Sequence, residues 1–354
     1  MSEATLLTQI RAIIDVDVDS MDASAAARLT STSGIRFQDM TSNQAIVHGQ
    51  VVLPANEILL QNTRKFIADK GIDVHQDDGA LKAIDFLTVQ LAKSVLPYLH
   101  GRVHAQVSPA TAYETKKTVE HARNLVALFE ENGVSRDQVC IKIPATPESM
   151  VACQQLEAEG IRTLATCLFS VAQAVSASQA GCLYVAPYFN ELAVHFTQGV
   201  WKSYADTANE HPMSSVIYAI VQAFKELRSK TLVMPASIVN TTEASIQNMP
   251  MNKNVIGLAR LRPNHLTISA QVLDAMALPG SEVSDNELAP AQIDIVTRNE
   301  VITTDYLDNG AAALRQAIAN DAEATRKLKD ALLIFGKKED ETKAFIRAYL
   351  TKPA

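Results

Sequence analysis

The sequence is poor in the features that mark a small, stapled or membrane-embedded protein. It has four cysteines, Cys140, Cys153, Cys167 and Cys182, each alone in an apolar stretch and none in a C-x-x-C pair. Zinc ribbons and secreted disulfide scaffolds are therefore disfavoured, and a reducing compartment fits. No run of eighteen or more apolar residues occurs, and the opening MSEATLLTQIRAI places no basic segment ahead of an apolar one. The expectation is a cytoplasmic chain without signal peptide or membrane span. A basic excess is missing too: 32 Lys+Arg against 39 Asp+Glu leave a net charge of −7, spread along the chain, which argues against a nucleic-acid footprint. No Gly-x-Gly-x-x-Gly follows a strand-like run and no Gly-x-x-x-x-Gly-Lys loop is present. Dinucleotide binding and phosphate-loop hydrolysis both lose ground.

What is present is a chain of 354 residues, 47% hydrophobic. That length can bury about three quarters of its unfolded surface without a metal or disulfide staple. Eight short runs rich in β-branched and apolar residues read as strands, at 13–19, 35–39, 103–107, 139–144, 163–169, 183–189, 231–238 and 265–269. Between them, segments such as 113–132 and 214–228 carry apolar residues every three or four positions and charge on the other face, as crossover helices do. Continuous apolar strands alternating with helices indicate a parallel sheet with helices on its outside. The expected class is α/β, a TIM-type (β/α)8 barrel with additional N- and C-terminal helices; a doubly wound sheet stays open, because closure is not written in a sequence. No internal repeat or linker divides the chain, so we expect one domain over 1–354, with a C-terminal helical appendage from about 303 built of helices at 305–320 and 322–350.

In such a barrel the chemistry sits at the C-terminal ends of the strands, so polar residues there are the informative ones. Lys142 interrupts Val139-Cys140-Ile141-Lys142-Ile143-Pro144. Burying its ammonium costs several kcal/mol or lowers its pKa by up to about 3 to 5 units, which makes a nucleophile. The bland alternative is a structural lysine that snorkels to the rim or pairs with a carboxylate. Alternation puts Asp15, Asp17 and Asp19 on one strand face, which three unpaired carboxylates would not tolerate unless the strand ends early. A calcium loop fails because Ser20 and Ala26 stand where glycine and glutamate would be needed. An aspartate at the strand end as general acid or base is more attractive. Gln106, Thr166 and Tyr188 occupy comparable positions on three other strands. Each alone is commonly core or hydrogen-bonding filler; together with Lys142 and a carboxylate they suit proton transfers around a covalent imine.

These residues stand in stretches that resemble the transaldolase family. The likeness runs through Gly101-Arg102-Val103, Ile141-Lys142-Ile143-Pro144-Ala145-Thr146, Leu156-Glu157-Ala158-Glu159-Gly160-Ile161, Leu168-Phe169-Ser170-Val171-Ala172-Gln173-Ala174, Ala180-Gly181 and Ala186-Pro187-Tyr188, and reaches Asp39-Met40-Thr41-Ser42-Asn43, Val233-Met234-Pro235-Ala236-Ser237 and Leu266-Thr267-Ile268. It covers nearly the whole chain in order. The resemblance implies an eight-stranded barrel acting as a class I aldolase with no metal and no other cofactor. By position, Lys142 would form the Schiff base, Asp19 would move the proton of the aldol hydroxyl, Asn43 and Ser237 would hold donor hydroxyls, and Thr166 would help position a water. Its partners would be small carbonyl substrates, ketoses and aldehydes, and it would form a homo-oligomer, a dimer for preference, through its C-terminal helices.

Two departures qualify this. Where ordinary transaldolases resemble one another in a glutamate and a phenylalanine, Gln106 and Tyr188 here are similar to the fructose 6-phosphate aldolase branch, whose tyrosine is the acid/base. Where the family holds phosphate with arginines, this chain has Glu191 and Val239. Exchanging an arginine fork for a carboxylate costs several kcal/mol, about a thousandfold in affinity for a dianion; Arg260 and Arg262 are the nearest candidates to compensate. The leading expectation is thus an aldolase with non-phosphorylated substrates in a specialised biosynthetic pathway. The alternative is a true transaldolase of the pentose phosphate pathway, and a third is a barrel that binds a metabolite without turnover, against which the joint presence of six polar site residues argues. Asn240-Thr241-Thr242 reads better as a helix cap than a glycosylation site. The histidines His48, His75, His100, His104 and His195 lack metal-ligand spacing, Lys337-Lys338-Glu339-Asp340-Glu341 reads as a solvated face, and Phe196 and Trp201 fit an apolar acceptor wall and helix packing equally well.

Overall fold

The computed structural model describes residues 5–239, 253–295 and 299–351, so the Asn240-Thr241-Thr242 element lies outside the described residues. Among them run seven parallel strands: β1 (Asp15–Val18), β2 (Val103–Gln106), β3 (Val139–Pro144), β4 (Thr163–Leu168), β5 (Tyr184–Pro187), β6 (Leu232–Val233) and β7 (His265–Ile268). β2 to β6 pair in sequence order, and β1 pairs with β7.

The stave expected at 35–39 pairs only through isolated bridges, Phe37 with Leu99 and Met40 with both neighbouring strands. Met40 bridges Val18 on one side and Val103 on the other. Its N–H donates to Arg102 O at 2.9 Å, and its carbonyl accepts from His104 N at 2.8 Å. Ile35 is 45% exposed, and the buried apolar residues Phe37 and Met40 are three apart, so the two-residue alternation that sustains a strand is lost. Between β6 and β7, Asn264 N donates to Val233 O at 3.1 Å and Thr267 N to Pro235 O at 3.3 Å. The sheet therefore closes on itself through eight staves, which excludes the doubly wound alternative.

The helices fall close to their sequence-read bounds: Thr115–Glu131, Pro212–Glu226, Asp308–Asn320 and Ala322–Leu350. Short Leu6–Arg11 is the N-terminal addition, begun by Thr5 and Thr8 in a reciprocal cap. The last helix packs over the end of the barrel where the strands finish, against helix Gln44–Val51 and the turns Pro109–Thr111 and Leu192–His195. Its Leu328, Ala331 and Phe335 join the same hydrophobic cluster as the barrel strands. Among the described residues, no helix is long and apolar enough to cross a membrane.

Asp15 and Asp17 of β1 and Asp19 just after it share a face, and the barrel accommodates them at three depths. Asp15 opens to solvent at the lower mouth, Asp17 is fully buried, and Asp19 lies beyond the strand end. Asp17 is held by a partner from the adjacent strand: His265 Nδ1 lies 3.1 Å from its Oδ2, and Asp39 N donates to its Oδ1 at 2.9 Å. A second pair completes the plug, with His104 Nε2 donating to Asp39 Oδ2 at 2.8 Å. The Tyr184 ring lies between the two imidazoles, 5.4 and 5.2 Å away. Gly101 is required here, because a Cβ would come within 2.0 Å of Asp39 Oδ1.

Burial pushes the Asp17 carboxyl up to about 6, with His265 pulling the other way. Burial alone would lower the His265 pKa, but the Asp17 carboxylate lifts it above the ordinary imidazole value. Both folded values are raised, so both groups favour the folded state most on the acid side, and that contribution is lost as pH rises through the folded values. Asp17→Asn leaves His265 without its anion and is expected to destabilise the fold by about 3 to 5 kcal/mol, whereas Asp15→Asn stays within about 0.5 kcal/mol. Urea unfolding at several pH values checks both figures. The variant's stability should also fall less than the parent's as pH rises from 6 to 9.

Candidate active site

Parallel register brings inward-facing residues of neighbouring strands to the same level. Gln106 on β2 pairs with Lys142 on β3, and Pro144 with Thr166 on β4. Asp19, Lys142 and Tyr188 line a cavity of about 900 Å³ at the C-terminal ends of the strands, together with Asn43, His195, Ser237 and Thr267.

Lys142 is 1% exposed. Burial pushes its pKa below the usual lysine value of 10.5, against the attraction of the Asp19 carboxylate. Asp19 is held away from direct ion pairing by Thr41, whose Oγ1 donates to Oδ1 at 2.6 Å. Since Thr41 has one proton to give, the hydroxyl of Thr267, in contact with Thr41 Oγ1, is the donor between the two threonines.

Tyr188 follows β5 and is held by Thr166 Oγ1, which donates to the phenol at 3.2 Å. Burial pushes the phenol well above its usual pKa, so it remains a proton donor. Cys167, beside Tyr188 and Lys142, is pushed up to about 12 by burial, partly offset by Lys142, and its thiol likewise keeps its proton. Cys167 has φ +52° and sits where the β4–β5 register shifts. Ser237 has φ +61°. Non-glycine residues in this region are strained and persist only where their surroundings hold them. For Ser237 the hold is visible: Asn190 Nδ2 donates to its carbonyl at 2.8 Å, and His195 Nε2 shares a hydrogen bond with its Oγ at 2.8 Å. Burial lowers the His195 pKa, which favours the neutral ring.

Asn43 caps helix Gln44–Val51, its Oδ1 accepting from Ala45 N at 2.9 Å and Ile46 N at 3.1 Å. The cap fixes the oxygen, so the amide NH2 is the end available to a ligand.

Three of the residues expected at the site are placed differently. Gln106 and Thr166 do not line the large cavity. Gln106 donates to Gln44 Oε1 at 2.6 Å and faces a separate void of about 20 Å³, and Thr166 is fully buried beneath Tyr188. Glu191 is also outside the lining; it lies 2.7 Å from Arg326, which the C-terminal helix supplies and which Glu323 and Asp330 engage as well. Val239 does line the cavity. Arg260 is engaged by Asp206 at 2.9 Å and Arg262 by the Leu288 carbonyl at 2.8 Å, and neither reaches the cavity. Residues that the sequence reading passed over are Thr41, Thr267, Cys167 and the role of His195. Thr267 alone left a signal, a hydroxyl near the end of an apolar strand; the His195–Ser237 contact spans 42 positions and leaves none. Among the described residues, no group of three or more His, Cys, Asp or Glu side chains is gathered as a metal ion would need.

A closed parallel barrel with a buried lysine and a separate carboxylate converging on a cavity at the strand ends is the arrangement of a (β/α)8-barrel enzyme. The comparison with known proteins carries this further. Residues 16–343 match the family model described as Transaldolase/Fructose-6-phosphate aldolase, and the chain belongs to that family. A transaldolase of a Marinomonas species is 28% identical over 97% of this chain and 99% of its own length. One from Agrobacterium fabrum is 27% identical over 98% of both chains, and one from Saccharomyces cerevisiae is 28% identical over 84% of this chain and 83% of its own. The chain is an enzyme of the transaldolase/aldolase type.

Because Asp19 is what holds the Lys142 ammonium form against burial, Asp19→Asn is expected to lower the Lys142 pKa further. Titration of the lysine side-chain carbons by NMR checks this. The Lys142 midpoint should lie below 10.5 in the parent and lower still in the variant; a variant midpoint above the parent's contradicts the assignment.

Proposed function

We propose that the chain transfers a three-carbon dihydroxyacetone-type unit from a ketose to an aldehyde through a Schiff base on Lys142. The observation that carries this reading is the buried amine, depressed by burial, that opens into the 900 Å³ cavity beside Asp19 and Tyr188. The neutral amine attacks the ketose carbonyl, and Tyr188 gives a proton to the departing hydroxyl so that water leaves and the iminium forms. Asp19 takes the proton of the hydroxyl next to the bond that breaks, the electron pair of that bond passes into the iminium, and the aldehyde departs. The remaining enamine adds to a second aldehyde, whose oxygen recovers the proton from Asp19, and water adds to the iminium, gives a proton back to the Tyr188 phenolate and releases the new ketose and the free amine. Asn43 and Ser237, which line the same cavity, would hold the hydroxyls of the retained unit.

The shared name of the relatives supports transfer between sugars over the free aldol cleavage expected first from Gln106 and Tyr188. A specific observation keeps the lyase reading alongside it: a tyrosine with a proton to give lines the same cavity as the lysine, and Gln106 offers no carboxylate.

Borohydride reduction with dihydroxyacetone is expected to leave an adduct on Lys142, seen by peptide mass spectrometry and lost in Lys142→Met, with turnover lower by at least about a thousandfold. Tyr188→Phe is expected to slow adduct formation by about a hundredfold while stability is kept. Ketose consumption that depends on added aldehyde supports transfer; equal consumption without it supports cleavage. The reading would not survive an absence of adduct with every ketone and aldehyde tried together with an unimpaired Lys142→Met enzyme.

A further inference from the structure

The hydroxyl of Ser237 is held by a side chain from another segment of the cavity wall. The short turn Leu192–His195, which follows β5, brings His195 into the same lining as Ser237, Lys142 and Asp19. His195 Nε2 lies 2.8 Å from Ser237 Oγ. The turn packs against the last helix, whose Arg326 lies 2.7 Å from Glu191 at the start of the turn.

The hold on Ser237 is divided between two residues. Its backbone, strained at φ +61°, is secured by Asn190: the carbonyl accepts from Asn190 Nδ2 at 2.8 Å and from Asn190 N at 3.3 Å. Asn190 is buried, and its Nδ2 also donates to Asn254 Oδ1 at 2.9 Å, so this anchor does not involve the imidazole. His195 holds the side chain. A serine hydroxyl on a cavity wall has three staggered positions open to it, and a hydrogen-bond partner selects one. A hydroxyl carries one proton and two lone pairs, so the bond to Nε2 leaves Oγ with capacity for a ligand hydroxyl. Desolvation lowers the His195 pKa against the attraction of the Asp19 carboxylate. The ring is therefore neutral and adds no second positive charge to the cavity that holds Lys142.

We infer that His195 is a positioning residue for the retained three-carbon unit: through Nε2 it fixes the Ser237 hydroxyl in the rotamer that receives a hydroxyl of the donor. The inference rests on the proposed reaction, in which Ser237 binds that unit. His195 enters no bond-making step. It acts on binding in both halves of the reaction, because the unit stays on Lys142 while the aldehydes exchange.

The test is a double-mutant cycle with dihydroxyacetone as donor and glyceraldehyde as acceptor. His195→Phe is expected to raise KM for dihydroxyacetone about tenfold with kcat within about threefold of the parent. Ser237→Gly, which removes the hydroxyl and adopts a positive φ without strain, should raise the same KM about tenfold. Because His195 acts through that hydroxyl, the double variant is expected to match Ser237→Gly within about twofold, whereas independent contributions would multiply to about a hundredfold. His195→Gln keeps a hydrogen-bonding atom near the place of Nε2 and should return KM to within about threefold of the parent. A hundredfold rise in the double variant, an unchanged KM in His195→Phe, or a His195→Gln enzyme no better than His195→Phe overturns the inference. A second measurement is independent of turnover: the yield of borohydride-trapped Lys142 adduct is followed against dihydroxyacetone concentration. Half-saturation should move about tenfold upward in His195→Phe while the yield at saturation is kept. Equal half-saturation in parent and His195→Phe strikes this inference alone; no adduct in the parent strikes the proposed reaction and this inference with it.

Discussion

The site depends on the free-energy cost of holding a charged amine inside a barrel. Lys142 is fully buried, and a low-dielectric surrounding disfavours its ammonium form. Left alone, that cost would give a neutral lysine with no charged group near it; a carboxylate in direct contact would restore the charge and take away the amine's lone pair. The structure lies between these limits. Asp19 is near enough to pull on Lys142, but its oxygen is held by Thr41, which Thr267 supports in turn. The same burial keeps the Tyr188 phenol and the Cys167 thiol protonated, so the environment that frees the amine also preserves an acid beside it.

Beneath this level the barrel solves a related problem in the opposite way. Asp17 and Asp39 are as deeply buried as Lys142, and each is paired with a histidine from another stave. The lower layer is polar but closed, with Tyr184 between the pairs. The upper layer is polar and open to a cavity, with its amine and carboxylate kept apart. Strand alternation alone puts both sets inside the barrel, and partners from neighbouring strands leave one of them closed and the other facing the cavity.

The C-terminal helix adds a decision that the barrel strands do not make. It brings Arg326 to Glu191, reversing which element carries the positive charge at the place where the resemblance anticipates a phosphate-binding arginine. Glu323 and Asp330 engage the same guanidinium, and neither Glu191 nor Arg326 lines the cavity.

Much of this was legible in the sequence because strands and helices impose short, regular periods. The break of an apolar strand by Lys142, the strand-end position of Asp19 and Tyr188, and the bounds of the final helix all follow from neighbours within a few residues. The second stave, expected at 35–39, pairs through separate bridges at Phe37 and Met40 and not as a regular strand, and bridges three residues apart have no two-residue period to detect. Gln106 and Thr166 were read at the correct level but not in their surroundings, since Gln44 and Tyr188, which engage them, are 62 and 22 positions away. Sequence alone determined which residues are polar and at what height in the barrel they stand, because backbone geometry makes that a local property. Only the tertiary structure decided which of them are paired, which face the cavity and which charge lies at its edge, because those depend on contacts between segments that no periodicity relates.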